Sequence, residues 1–387
     1  MAERPAVAAI HNALTPYRLH YHRRIVREMP EVELWSVFTH DTSDSPWAAQ
    51  PPADIRPIAF GSGESTANQG RLGTAIHEWR KGGRIIRWLH DRNVGAVVLG
   101  GYNDLGRLRI LRWCHRHGIP CFLFGDSNVH GDRVGRLKRV VLPRVLRWCT
   151  GVMPCGTAGQ DYFARYGVAR ERMFLTPYEP DYAQIATVTN AAIEATLKQF
   201  RLDPQRRSLL YSGRLVSVKR VDLVIDAFAQ IAQDRPDWDL AILGGGPLEA
   251  SLRTRVPPEL VSRVRWLGFV DDQAVIAAVC RACSVLVLAS DAEPWAVVVN
   301  EAVAAGIAVV ASDAVGAAVD LVREGVNGRV FPRGDLSALT DCLRDVTVPG
   351  RAAAMGFASA TVLADWRQRA DPVDGLRAAL RFAGVLS

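Results

Sequence analysis

No run of eighteen consecutive apolar residues occurs anywhere in the 387-residue chain, which predicts no membrane-spanning helix. The amino terminus has no uninterrupted apolar run behind a basic start, so no secretory signal is read and the cytoplasm is the expected location. Cysteine is scarce and odd in number, seven in all and without framework spacing, which excludes a disulfide scaffold and fits a reducing compartment. The one Cys-x-x-Cys, Cys280 with Cys283, runs from a predicted helix end into a strand and lacks companions at zinc-ligand spacing, so both are read as buried structural thiols. Neither low-complexity segments nor internal repeats occur, and no recognisable RNA- or DNA-binding module is present, so nucleic acid is not an expected partner. No metal and no resident cofactor are expected.

What is present reads as a folded α/β protein. Apolar residues make up 49% and charged residues 22% of the chain, an ordinary globular balance. The length calls for two cores. Short β-rich runs alternate with amphipathic helical patterns from end to end, the signature of parallel sheets with crossover helices. A first series of strands is predicted near Val7–Ile10, Val32–Phe38, Ala96–Leu99, Cys121–Phe124 and Val152–Cys155. Residues 40–75 read as long loops around a short strand at Ile55–Ile58. A second series runs through Leu209–Tyr211, Leu240–Leu243, Val264–Leu267, Val285–Leu288, Val309–Ala311 and Val330–Phe331. Two Rossmann-like, doubly wound domains are therefore expected, over residues 1–185 and 186–365, with a helix in 366–387 that can return to the first. Such sheets bind ligands beyond the carboxyl ends of their strands, which predicts a site in a central cleft between the two.

The charge is uneven. Residues 1–185 carry 25 Lys/Arg against 17 Asp/Glu, and residues 186–387 carry 22 against 23. The positive field belongs to the first half and predicts an anionic partner there. Arg133, Arg136, Lys138, Arg139, Arg144 and Arg147 alternate with Val140, Val141, Leu142, Val145, Leu146 and Trp148, a pattern that suits either an amphipathic helix lying on an anionic membrane or a packed helix with a solvated basic face.

Chemistry concentrates after the strands of the second half. Gly213, Arg214, Lys219 and Arg220 precede a predicted helix, where glycine admits close backbone approach and cations at a helix amino terminus suit a diphosphate; solvated first-turn residues are the alternative. Gly244, Gly245, Gly246 and Pro247 follow the next strand, and three adjacent glycines exceed what a turn needs. The segment Glu293-Pro-Trp295-Ala296-Val297-Val-Val-Asn-Glu301 places one carboxylate at the mouth of a helix predicted to start near Trp295 and another about two turns inside. Glu301 then interrupts an otherwise apolar helix. In the first half, Asp126, Asn128 and His130 follow a strand and are expected to line the ligand side, while Thr15 and Pro16 read as helix cap and first turn, with His11, Tyr17 and Arg18 as weaker candidates.

The order Gly213-Arg214 and Lys219, Gly244-Gly-Gly-Pro-Leu248, Leu267-Gly-Phe269-Val270, Glu293-Pro with Glu301, and Gly325-Val-Asn-Gly328 resembles the family 4 retaining glycosyltransferases of the GT-B type, glycosyl transferases group 1, over about residues 205–345. The first half is similar in layout only. The resemblance implies transfer of a sugar, with retention of configuration, from a nucleotide diphosphate sugar to a saccharide or lipid-linked acceptor, in envelope or extracellular polysaccharide assembly, by a metal-independent enzyme that is cytoplasmic or peripheral to the membrane. It implies that Arg214 and Lys219 hold the donor diphosphate, Glu301 the ribose hydroxyls and Glu293 the hexose, with Leu267, Phe269 and Val270 around the base. Gly213, Gly245, Gly246, Trp295 and Val297 join the donor-binding set, and His130 the catalytic set with Arg214, Lys219 and Glu293. If the stretch from Glu293 to Glu301 is helical throughout it spans about 12 Å, close to the sugar-to-ribose distance of an extended donor.

Two departures from the family pattern stand out. Ala296 occupies a position where the family often has glycine, and Asn12-Ala-Leu-Thr-Pro16 replaces the glycine-rich loop often found after the first strand. Asp237-Trp-Asp239 imitates the Asp-x-Asp metal motif of other sugar transferases, but it sits at the start of a strand and is read as a solvated turn. Other GT-B enzymes, a nucleotide-sugar epimerase or a phosphorylase, and a non-catalytic sugar-nucleotide-binding protein remain as alternatives.

Overall fold

The computed structural model describes every residue except 1–3, 42–50, 62, 64, 65, 67, 68, 70, 71 and 132–135. The chain forms two compact units, one from Met1–Tyr178 with Ala370–Ser387 and one from Glu179–Arg369.

In the first unit, β1 (Ala6–His11), β2 (Glu33–Phe38), β3 (Pro57–Ala59), β4 (Ala96–Gly100), β5 (Cys121–Gly125) and β6 (Gly151–Pro154) make a six-stranded sheet in the order β3-β2-β1-β4-β5-β6. Every pairing is parallel. Alternate residues of each strand face opposite layers, as the period of two requires. Ala8, Ile10, Val97, Leu99 and Leu123 pack against α2 (Ala75–Asp91), α3 (Leu105–His117), α4 (Arg136–Leu146) and α5 (Thr157–Arg165). Val7, Ala9, Val98 and Phe122 pack against α1 (Pro16–Glu28) and the final helix, Pro372–Phe382, which inserts Val373, Leu376, Ala379 and Leu380. That helix is tied down further by Arg377, which donates to the Glu28 carbonyl at 2.7 Å.

The second unit repeats the plan. Strands β7 (Arg207–Ser212), β8 (Trp238–Leu243), β9 (Val264–Gly268), β10 (Val285–Leu288), β11 (Ala308–Ser312) and β12 (Gly328–Phe331) pair in parallel in the order β12-β11-β10-β7-β8-β9. The strand order reverses between β1 and β4 in one sheet and between β7 and β10 in the other, the switch points where open α/β sheets take ligands.

The structure adjusts several sequence expectations. The division between the units falls at 178/179 and 369/370 rather than at 185/186 and 365/366, because Tyr182 accepts a hydrogen bond from Asn300 at 2.8 Å and carries Arg367 over its ring at 4.9 Å. The short strand lies at Pro57–Ala59, preceded by a turn of 3₁₀-helix at Ala53–Ile55. Asp239 is no solvated turn residue: it is buried inside β8 and held by Arg206 at 2.7 Å, with Arg263 at 3.6 Å. In α4 the apolar stripe Leu142, Val145 and Leu146 is built into the core, so that stripe is not a membrane face; Val140 and Val141 are the residues left exposed. Arg133 and the side chain of Arg136 lie outside the described residues. All seven cysteines are buried free thiols, and burial pushes Cys283 up to about 12. Among the described residues, no helix is long and apolar enough to cross a membrane.

Candidate active site

The loops that follow β7, β8 and β9 are stitched to one another by backbone hydrogen bonds. Gly213 N–H donates to Leu243 at 2.9 Å, Leu215 to Gly245 at 2.9 Å, and Gly244 to Gly268 at 2.8 Å. This close stacking accounts for two of the three adjacent glycines. A Cβ on Gly244 would run into the Gly213 carbonyl, and one on Gly246 would sit 2.5 Å from the Leu215 carbonyl oxygen. The missing side chain of Gly246 makes room for Leu215, so the fold itself calls for glycine there. Gly245 differs. A Cβ there would meet only Phe269, at an ordinary 3.7 Å, so the packing of the protein does not demand glycine. Phe269 beside it is 43% exposed, whereas Leu267 is buried and Val270 partly so.

Beyond β7, Tyr211 is buried in the sheet and its hydroxyl donates to the Arg214 carbonyl at 2.9 Å, which fixes the backbone of the turn and leaves the Arg214 side chain at the surface. Lys219 ends a short 3₁₀ turn and forms an ion pair with Glu293. Arg220, which reads in sequence as a second cation of the same kind, is instead neutralised by Asp222 at 3.1 Å and by Asp291 at 3.4 Å. Asp291 is itself anchored, its N–H donating to the Val218 carbonyl at 2.9 Å.

The segment around Glu293 is held as an extended strip. Its N–H donates to Ala314 at 3.3 Å, Gly316 donates to the Glu293 carbonyl at 3.0 Å, and Ala317 to the Trp295 carbonyl at 2.8 Å. The helix begins at Val297, not near Trp295, because Ala296 adopts φ 78° and ψ 82°. Glu293 and Glu301 thus do not share one helix, and a span calculated from helical rise does not apply to them. A positive φ costs a residue with a Cβ of order 1–3 kcal/mol and persists only where the surroundings hold it. Here they do. The Trp295 indole is 3% exposed, donates to Asn300 at 3.1 Å and packs 5.7 Å from Trp366, so any ligand contact at this position falls to its backbone. Val297 is only partly buried.

Glu301 lies in the helix Val297–Ala305 among Val299, Ala302 and Val303, all buried. Burial alone pushes its carboxyl up to about 7. Among the described residues nothing donates a hydrogen bond to it or pairs with its charge, in contrast to the buried Asp239. Glu301 itself is half-buried, so its oxygens are left to water or to a ligand that supplies donors.

The first unit holds the remaining candidates. His130 lies in the turn after β5, partly buried, and Asn128 accepts from the Gly131 N–H at 2.9 Å. Thr15 stands at the N-cap position of α1 and Pro16 in its first turn, as the sequence suggests, though the Thr15 side chain makes no cap bond. Arg18 donates to the Ala13 carbonyl at 2.7 Å and lies against the rings of Tyr17 and Tyr178. His11 is 1% exposed with neither ring nitrogen bonded, and burial holds it neutral.

Sequence reasoning missed a buried ionic network under the β1 and β4 ends. Arg107 binds Asp104, Asn12, the Gly100 carbonyl at 2.8 Å and Thr39 at 3.1 Å. Gln69 bridges Asn12 at 2.9 Å and Asp104 at 2.7 Å. Lys81 donates to the Thr39 carbonyl at 2.8 Å and pairs with Glu78 at 3.3 Å. In sequence, Lys81 and Arg107 look like ordinary helix-surface cations. The signals were Gly82 and Gly106, which let α2 and α3 come close enough to bury them.

Residues 192–347 match the family model for glycosyl transferases group 1. That match lies within the second unit and takes in 156 of the 387 residues. Similar proteins include the mannosylfructose-phosphate synthase of Agrobacterium fabrum, 29% identical over 36% of this chain and 32% of its own. The GDP-mannose-dependent monoacylated alpha-(1-6)-phosphatidylinositol monomannoside mannosyltransferase of Corynebacterium glutamicum is 30% identical over 49% of this chain and 51% of its own. Among solved structures, Anabaena HepE in complex with UDP and glucose superposes with a TM-score of 0.73 at 17% identity over 99% of this chain and 100% of that one. Sucrose-phosphate synthase of Thermosynechococcus elongatus gives 0.74 at 17% identity over 99% of this chain and 98% of that one. The fold is that of GT-B glycosyltransferases. The stretches matched in the first three curated relatives span 17%, 32% and 36% of those proteins.

Proposed function

We propose that this protein is a retaining glycosyltransferase that takes its sugar from a nucleotide diphosphate donor and passes it to a saccharide or lipid-linked acceptor. The observation that carries the reading is Glu301, a carboxylate without a partner in an apolar helix, on the unit that matches the group 1 model. Vicinal ribose hydroxyls are donors of the kind it lacks. Lys219 and Arg214 supply positive charge where negative charge grows on the leaving diphosphate, and fixed cations stabilise that charge without reorganising. Donor binding then exchanges the Lys219–Glu293 ion pair for contacts of Lys219 with phosphate and of Glu293 with the hexose. Gly245 and Phe269 leave room for the base, with Leu267 and Val270 behind. His130 is assigned to the reacting sugar or the acceptor. A role in envelope or extracellular polysaccharide assembly, at the inner face of the membrane and without a metal, completes the proposal.

A calorimetric titration with UDP-, GDP- and ADP-sugars tests the donor site. One of them is expected to bind, and Lys219→Ala is expected to lower turnover with that donor by about 10²–10³-fold while leaving the melting curve in place. No heat with any nucleotide sugar, or near-normal turnover in Lys219→Ala and Arg214→Ala alike, would overturn the assignment.

A further inference from the structure

The outer layer of the first sheet ends in an apolar surface that the donor site does not use. On α2, Ile76 is 71% and Trp79 47% exposed; on α3, Leu105 is 45% exposed. Ile76 and Trp79 stand one helical turn apart on one face, and Leu105 stands one turn before Arg109 on the next helix. Arg109 joins the two, its guanidinium 4.5 Å from the Trp79 ring centroid and donating to the Trp79 carbonyl at 2.8 Å. The helices cannot part easily, since a Cβ on Gly82 would stand 2.7 Å from the Gly106 carbonyl oxygen.

Around these side chains the charge is of one sign. Arg80 on α2 and Arg112 on α3 are exposed, and Arg87 and Arg116 lie farther along the two helices, toward the end where Asp91 sits. Of the carboxylates on these helices, Glu78 is buried and Asp91 sits at the far end of α2. Large apolar side chains, one an indole, with arginines beside them suit a surface that is apolar below and anionic above, because arginine stems lie along apolar surface while their heads meet phosphate. α2 ends just before β4 begins and α3 starts just after β4 ends, so the exposed amino-terminal turns of both helices lie at the carboxyl edge of the sheet, the edge from which the His130 turn also emerges.

We propose that the amino-terminal turns of α2 and α3 dock on an anionic lipid bilayer, with Ile76, Trp79 and Leu105 entering the interface and Arg80, Arg109 and Arg112 against the headgroups. The docking replaces α4 as the membrane-facing element and does not depend on the transferase reading. Its consequence for the acceptor, delivery from the bilayer to the carboxyl edge of the sheet, rests on that reading.

Co-sedimentation of the full chain with vesicles of phosphatidylcholine, alone or with about 30% phosphatidylglycerol, tests it. The wild type is expected to partition to the anionic vesicles at least about tenfold more than to the neutral ones, and Ile76→Ser/Trp79→Ser/Leu105→Ser to lose at least about tenfold. Val140→Ser/Val141→Ser is expected to bind like the wild type. Arg80→Glu/Arg112→Glu, which alters only exposed side chains, is expected to abolish the preference for anionic vesicles even if the triple variant melts early. Equal partition of the wild type, no binding at all, or a loss confined to the Val140/Val141 variant would overturn the proposal. Calorimetry with nucleotide sugars on the same proteins reports separately on the donor site.

Discussion

The two sheets have one strand order, and each places polar side chains near its switch point, but the first pairs its buried charges with one another and the second leaves a carboxylate open. Arg107, Asp104, Asn12, Gln69 and Thr39 form a ring of bonds under the β1 and β4 ends, and Lys81 is satisfied by Thr39 and Glu78. Glu301 in the second unit is half-buried, and among the described residues nothing donates to it. A closed network spends its bonds on the fold, while an open group keeps its bonds for a ligand. Burial of charge, taken alone, therefore does not mark a site; a carboxylate in apolar surroundings that the protein leaves without a donor is the better marker.

The sharpest way to break this comparison is to open the closed network. Asp104→Ala leaves the Arg107 guanidinium buried without its carboxylate and removes the cap that α3 receives at Arg107 N–H. A loss of about 3–5 kcal/mol in the stability of the first unit is expected in urea denaturation, with donor binding per folded molecule unchanged.

The converse substitution, Glu301→Leu, removes a carboxylate the fold gains nothing from. With its carboxyl raised from 4.5 to about 7, the empty protein is expected to gain about 3 kcal/mol at pH 8 and to lose donor binding altogether. A melting temperature that falls instead would mean that Glu301 has a structural partner.

A third experiment needs no mutation, because the two units respond to pH with opposite sign. The folded pKa of Glu301 lies above that of the unfolded chain, so its contribution is fullest below about pH 4.5 and is lost as the pH rises toward 7. His22, buried and near Arg18, is lowered from 6.5 to about 3, so its contribution is fullest above pH 6.5 and falls as the pH drops. Burial depresses His11 in the same direction. Hydrogen exchange followed from pH 8 to pH 5 is expected to show β1 and β2 losing about 2 kcal/mol or more of protection, while the Glu301 helix gains. His22→Gln should remove most of the first trend.

The smallest effect belongs to Ala296. Glycine accepts its φ of 78° without strain, so Ala296→Gly is expected to stabilise the second unit by about 1 kcal/mol, the relief of strain exceeding the added freedom of the unfolded chain. Thermal denaturation measures it directly.

Much of this was legible in the sequence. Apolar runs bounded by glycine and polar residues located all twelve strands of the described residues to within two residues at each end, because parallel strands buried on both faces leave no polar alternation to confuse. Position after a strand pointed to Arg214, Lys219 and Glu293, since topology sends every such loop to the carboxyl edge. The rest depended on distance in space. No local signal told Gly245 from Gly246, because the carbonyl that demands glycine at Gly246 belongs to Leu215, far away in the chain. Trp295 had the composition of a ligand wall and the contacts of a core residue. The α4 stripe was equally ambiguous until the sheet beneath it claimed Leu142, Val145 and Leu146.

The final helix carries a consequence for synthesis. On the ribosome, β1 to β6 emerge early with Val7, Ala9, Leu34, Val98 and Phe122 facing a layer that Val373, Leu376, Ala379 and Leu380 complete only after the whole second unit has been made. The second unit is continuous in the chain and can close as it emerges; the first must wait with one apolar face only partly covered. Chains released before Pro372 are expected to hold a folded second unit and a first unit that chaperones retain, so the last helix acts as the clasp that ends the protein's dependence on them.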